Sequence, residues 1–334
     1  MKNHQIMRFG ALFLVLMVAM VPLMGTGSAV VVKGGFHASE GDYIKYDVDA
    51  EKYMESIMAA SPGGGEMNVN VEKAVSELRF TGTEDINVNG TVFNCVVAEH
   101  SMELMATFDG SYQGMDISMD IHIISEEKQW IDSSDGAIVR MSETQYSYTN
   151  SSMSGGILGD QSSYMATKTV TETTYNPPMK NIDRDVEAGD VWNESSTSTI
   201  KTTVYSYENG EWTAMGGASV ETETETEHYE AIGDATITTV AGTFQTLKIK
   251  SWSDDDSGNY SVIYMTEEGA PVKMEMYDST GDVSMSVEAT EYHYSEAGSS
   301  TDDGEESSST PGFMAIMTIS AIGMVVIAYS IRRK

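Results

Sequence analysis

Apolar and polar side chains alternate along most of this chain. Met115, Ile117, Met119, Ile121 and Ile123 are separated by Asp116, Ser118, Asp120 and His122, the period of a strand with one apolar face. Met102, Leu104, Ala106 and Phe108 form a similar row and lead into Asp109-Gly110, a hairpin-turn signal. Asn209-Gly210, between Val204–Tyr207 and Trp212, is a second such signal, since Asn and Gly both tolerate positive φ. A helical period occurs at 51–60, where Met54, Ile57 and Met58 share a face and Pro62-Gly63-Gly64-Gly65 stops it. Tyr, Thr, Val and Ile are abundant, as strands favour. The pattern predicts an all-β region whose sheets have one apolar face.

Residues 37–296 carry the same landmarks twice. Glu40-Gly41-Asp42-Tyr43 opens one copy and Ala188-Gly189-Asp190-Val191-Trp192 the other. Gly90-Thr91-Val92-Phe93 then matches Gly242-Thr243-Phe244, and Gly136 to Met141 matches Gly269 to Met274. Each copy closes on Thr-x-Tyr-x-Tyr, at Thr144, Tyr146, Tyr148 and at Thr290, Tyr292, Tyr294. This predicts two tandem homologous curved antiparallel-sheet modules, at 30–150 and 180–296, joined by a connecting segment at 151–179.

Both ends of the sequence differ from this middle. Lys2 and Arg8 precede an apolar run at 10–24 and the small residues 25–29, the order of a secretory signal peptide over 1–29. Residues 297–310 are rich in Ser, Gly and acid, a stalk with too little apolar surface to fold. Residues 313–331 hold no charge and, as a helix, would cover roughly 28 Å, close to the hydrocarbon thickness of a membrane. Arg332, Arg333 and Lys334 follow as a basic stop on the cytoplasmic side. The outer region is therefore expected on the extracytoplasmic face, anchored at its C-terminal end.

Charge sharpens this picture. The formal net charge is −32. Five of the 19 basic side chains and none of the 51 acidic ones lie in the two targeting segments, so residues 30–310 carry −37. Such a surface repels nucleic acid and attracts cations. It equally suits simple solubility in a salty exterior. Cys95 stands alone, so no internal disulfide forms, and its place in the strand-like run 92–97 predicts a small buried hydrophobe.

No catalytic motif or cofactor site stands out, and the protein is expected not to be an enzyme. His37, His100, His122, His228 and His293 are too scattered to suggest a metal site, and His122 lies on the polar face of its strand. Glu221, Glu223, Glu225 and Glu227 alternate with threonines, so in a strand they share one face at about 6.6 Å spacing. That row is a solvated face or, less simply, a weak cation site. The loop at 254–259 lacks the spacing and distal glutamate of a calcium loop. Met115, Met119, Met274, Met276 and Met285, among 24 methionines, are core filler or the lining of an adaptable apolar groove. Asn89, Asn150, Asn193 and Asn259 open Asn-x-Ser/Thr sequons, candidates for N-glycosylation.

Two resemblances add to these readings. Pro311-Gly312-Phe313, set between the stalk and the apolar segment with its basic tail, resembles the PGF-CTERM sorting signal of archaeal surface proteins. That resemblance implies an archaeosortase as processing partner, which removes the C-terminal segment and leaves a prenyl-ether lipid anchor. The plain alternative is an ordinary membrane anchor. Pro177-Pro178, Gly189-Asp190-Val191-Trp192, 241–244 and 269–273 resemble the TapB-like group of secreted β proteins. This implies a strongly curved antiparallel sheet, such as a half-barrel of the LolA type, and no established chemistry. Three functions follow as expectations: a non-catalytic surface protein for binding or envelope structure, with an unknown extracellular ligand or partner; a carrier of an apolar or lipid ligand; and a carboxylate-based hydrolase. Paired buried carboxylates about 5–9 Å apart in a cleft would mark the last.

Overall fold

The computed structural model describes residues 29–294, apart from 35–37, 60–66, 113–114, 156–159, 181, 183 and 255–257. The signal peptide, stalk, sorting motif, apolar segment and basic tail lie outside the described residues. Alternation produces strands, as expected: β1 (Tyr43–Asp49), β2 (Met67–Val88), β3 (Thr91–Tyr112), β4 (Met115–Asp132), β5 (Ile138–Ser154) and β6 (Gln161–Met179). They are followed by β7 (Val191–Glu208), β8 (Glu211–Ala214), β9 (Ser219–Thr239), β10 (Gly242–Ser253), β11 (Tyr260–Met265), β12 (Pro271–Tyr277) and β13 (Val283–His293). A short helix, α1 (Glu51–Ala59), sits between β1 and β2 and buries Met54.

Consecutive strands pair antiparallel except β8 and β9, which both pair with β7; β13 pairs with β1, and β6 with β7. The sheet therefore closes on itself. β8 and β9 lie along the same edge of β7, so they share one stave of a barrel with 12 staves. This corrects the expectation of two tandem modules or half-barrels. A six-stranded half would expose two unpaired edges. Here the edges of one half pair with the edges of the other, and no free half remains. The expected connecting segment is largely β6 itself, which carries the closing contact.

The repeat survives as two halves of one ring. Gly41 N–H donates to the Phe80 carbonyl at 2.9 Å, and Gly189 N–H to the Ala231 carbonyl at 2.7 Å. The Phe80 and Ala231 amides donate back to the Asp42 and Asp190 carbonyls, each at 2.9 Å. Asp42 and Asp190 each accept from the backbone amide three residues earlier. Both opening glycines have positive φ, 97° and 100°. A bulge then skips Thr81 before Gly82 in one half and Ile232 before Gly233 in the other. Ile44, not Tyr43, holds the place of Trp192: Ile44 opposes Leu78 as Trp192 opposes Tyr229, while Tyr43 matches exposed Val191. The closing Thr-x-Tyr-x-Tyr landmarks do not correspond, because one lies on β5 and the other on β13, whose counterpart in strand order is β6.

Asn89-Gly90 and Asn209-Gly210 form hairpin turns with positive φ at both residues. Asp109-Gly110 does not turn; it continues β3, and the hairpin closes after Tyr112. The lower rim carries the Asn89-Gly90 turn, and the upper rim carries Asn209-Gly210. Side chains on the inward frame form one continuous core. Ile44, Tyr46, Leu78, Phe80, Leu104, Phe108, Ile123, Leu247, Ile249 and Ile263 are at most 1% exposed within it. The outward frame of β3 reads Glu99, Ser101, Glu103, Met105, Thr107, so this wall lacks the apolar belt of a membrane-spanning barrel. No helix of the described residues is long and apolar enough to cross a membrane.

Candidate functional site

The inward frame is not apolar all round. β1 and β10–β13 line the lumen with Ile, Leu, Val and Met, including Met274 and Met285. On β4 the inward row begins with Ile121 and Ile123 and continues as Ser125, Glu127 and Gln129, all at most 3% exposed. Cross-strand register carries this polarity around the wall in parallel rungs. One rung runs Leu78, His100, Glu127, Glu143, Thr171, Thr202. A neighbouring rung runs Ser76, Met102, Ser125, Gln145, Thr169. The other neighbour runs Ala98, Gln129, Met141, Thr173, Ile200, Glu221.

Within this patch, Gln129 donates its amide to Glu127, and Ser125 Oγ donates to Glu143 Oε1 at 2.8 Å. Ser76 Oγ and His100 Nε2 are hydrogen-bonded at 2.6 Å, and Tyr175 donates to Met141 Sδ at 3.3 Å. Burial, then its amide partner Gln129 and the carboxyl of Glu143, set the charge state of Glu127; burial dominates and pushes it up to about 8. Glu143 is raised for the same first reason. Burial pushes His100 down to about 4. Of the described buried side-chain polar atoms in this patch, two have no hydrogen-bond partner: Gln129 Oε1, on a residue 0% exposed, and Gln145 Nε2, on one 6% exposed. An unsatisfied buried group of this kind costs about 1–3 kcal/mol.

The glutamate row lies on the same inward frame, because Trp192 opposes Tyr229 and the row steps from it in twos. Glu221, Glu223 and Glu225 are exposed towards the upper rim, and Glu227 is half-buried. Glu227 directly opposes Glu194. The Tyr175 hydroxyl is held up chiefly by burial and further by the carboxyls of Glu127 and Glu225. Glu221 ends the rung that holds Gln129, so the two groups, distant in sequence, lie on one run of staves.

Other singled-out residues sit elsewhere. His122 faces outward and bonds Glu103 at 3.0 Å, and His228 bonds Asp254 at 2.9 Å. No group of His, Cys, Asp or Glu among the described residues is arranged to hold a metal ion. Cys95 is buried in a small second cluster with Val97, Trp130 and Val139. Asn89, Asn150, Asn193 and Asn259 are all exposed, Asn89 in a turn, Asn150 and Asn193 on strands, Asn259 in a loop. A depression of about 460 Å³ on the outer face is lined by Glu77, Arg79, Glu99, Ser101, Glu126, Lys128 and Thr144, and His100 and Glu127 border it as well. Its cations are already paired, Arg79 with Glu77 at 2.7 Å and Lys128 with Glu84 at 2.6 Å.

Sequence reasoning missed Ser125, Glu127, Gln129, Glu143 and Gln145. The signal was present: the alternation that places Ile121 and Ile123 inward, continued three steps further, places Ser125, Glu127 and Gln129 inward too.

No family model matches the chain, and no curated protein matches it. Two solved structures show a distant likeness. One is a Bacteroides fragilis protein described as exported with a YmcC-like fold, at 14% identity and TM-score 0.28. The other is a Parabacteroides distasonis protein described as a lipoprotein, at 11% identity and TM-score 0.26. Each alignment covers 78% of this chain and 99% of the other. At these TM-scores the likeness carries no argument, and the barrel rests on its own strand pairings.

Proposed function

We propose that this protein is an exported, surface-tethered barrel that binds a small polar ligand in its lumen and does no chemistry on it. The observation that supports binding is the pair of unpartnered amide atoms, Gln129 Oε1 and Gln145 Nε2, flanking Glu127 and Glu143 inside the barrel. A half-satisfied polar patch is less stable than apolar packing of the same volume, so its presence in a core fits retention for use. Export rests on the pattern of residues 1–29, and tethering on Pro311-Gly312-Phe313 with the apolar run and basic tail. The paired carboxyls also favour, as a second reading, a carboxylate hydrolase. Against it, Glu127 is only 3% exposed, and a polymeric substrate could not reach it without opening the sheet.

Calorimetry of the full-length chain with a panel of small polar molecules, beside Gln145→Met, tests the reading. Binding that the substitution abolishes, together with an equal or higher unfolding midpoint, supports it. A substitution that unfolds the barrel while the panel gives no binding would leave the patch a purely structural network. Hydrolysis of a glycoside lost in Glu127→Gln would transfer the case to the second reading.

A further inference from the structure

β9 outruns the strand beside it. Its pairing with β10 stops at Glu227 opposite Ser253. Among the described strands, Ser219 to Thr226 pair with β7 alone. The wall therefore has a window beside β9, above Ser253. Inward side chains at that level meet solvent: Met165 on β6 is 48% exposed and Val204 on β7 is 39% exposed. Val204 opposes Thr169 and so ends the rung of Gln145, while exposed Glu221 ends the rung of Gln129. Each unpartnered glutamine atom thus lies on a rung that runs out to solvent, and a small molecule can approach along it.

The two atoms make opposite demands. Gln129 Oε1 needs a donor and Gln145 Nε2 needs an acceptor. An ammonium only donates and a carboxylate only accepts, so either would leave one buried atom unpaired. A glutamine amide can also turn over, which exchanges its donor for its acceptor. A hydroxyl both gives and takes a hydrogen bond, so it matches either setting. Resting on the lumen-binding reading, we infer that the ligand is a neutral, elongated polyol that enters beside β9 and lies along β4 and β5 between Gln145 and Gln129. Gln129 opposes Met141, and Gln145 opposes Ser125, two inward steps or about 13 Å further along the wall. Glu127 and Glu143 hold the rung between them, so a molecule touching both amides must run across that pair. No Lys or Arg stands on the three rungs, and Thr169, Thr171 and Thr173 continue them with hydroxyls. Near neutral pH Glu127 keeps its proton and His100 carries none, which suits an uncharged guest.

Mannitol, adipamide, hexane-1,6-diamine and adipate, all six-carbon chains, serve as probes in calorimetry of the full-length chain at pH 7. We expect mannitol to bind and each of the others to bind about tenfold more weakly or not at all. Gln129→Met and Gln145→Met should each lower mannitol affinity at least about tenfold, since each leaves a ligand hydroxyl buried without a partner. Glu99→Gln, exposed and outward, should leave it unchanged. Equal or tighter binding of adipamide, the diamine or adipate would overturn the polyol class. If mannitol does not bind while another member of the wider panel does, and Gln145→Met removes that binding, this inference fails and lumen binding stands. Mannitol affinity unchanged in both folded variants would put the polyol elsewhere and overturn the inference. Silence from every probe and from the wider panel would overturn lumen binding itself. The four-probe comparison uses the wild-type chain, so it still decides if a variant does not fold.

Discussion

Glu127 lies directly opposite Glu143 across β4 and β5, inside the barrel. The pair gives a signed pH dependence. A carboxyl held at about 8 keeps its proton in the folded state while the unfolded chain releases it near 4.5. The folded state then binds more protons between these values, so stability falls as pH rises through that window. His100, pushed down to about 4, acts oppositely: its contribution is lost as pH falls from about 6.5 to 4. Above pH 6.5 only the carboxyl effect remains. Stability should drop by about 1–2 kcal/mol between pH 6.5 and 8, read as a lower urea midpoint. Glu127→Gln should flatten that limb; an unchanged slope would place the titration elsewhere.

Cys95 should be inert while the barrel is folded. Burial, then the carboxylates of Asp132, Asp85 and Glu84, push its thiol up to about 12. A thiolate is the reactive form. A disulfide reagent at pH 8 should label it only at the rate of unfolding, and fast labelling of native protein would contradict its place in the cluster.

The two halves can be compared by mutation. Gly41 and Gly189 share the same positive φ, and an added Cβ would meet nothing within 4 Å at either. Alanine should therefore cost about 1–2 kcal/mol at each site, from the backbone alone. They open β1 and β7, six staves apart in the ring, so the double variant should show the sum within about 0.5 kcal/mol. Unequal single losses would argue against equivalent corners.

Ile44→Ala should cost about 2–5 kcal/mol and Trp192→Ala about 3–5 kcal/mol, because both are buried first-turn-inward residues of their halves. Trp192 also loses its stack on Tyr229, at 5.1 Å between ring centres. Tyr43→Ala, half-exposed, should cost less than Ile44→Ala. Equilibrium unfolding ranks them.

Much of the wall was legible and its closure was not. Period two in Met102–Phe108 and Met115–Ile123 gave both the strands and their inward faces, and the short helix followed from Met54 and the Pro-Gly stop. The repeat was visible as well, but pairing between β6 and β7 leaves no local mark, since an edge strand and a closing strand share the same alternation. Asp109-Gly110 misled because a turn dipeptide can be absorbed into a strand when both neighbours pair with it, here Asn68 and Met67 on β2 and Ser118 and Ile117 on β4. The site was overlooked because Glu127 and Glu143 look solvated one residue at a time; only the frame set by Ile123 shows which way they point.

Tyr43 stacks on His293 at 5.7 Å, so the first and last staves end side by side on the lower rim. A bell suspended from its crown has its opening turned away from the hook. If the chain after residue 294 ties the protein to a membrane, the barrel hangs in that way, with the glutamate-lined upper rim directed outward. Solutes arriving from the medium would then meet the acidic mouth before they meet the tether, and cutting the chain after His293 would free the barrel without touching that mouth.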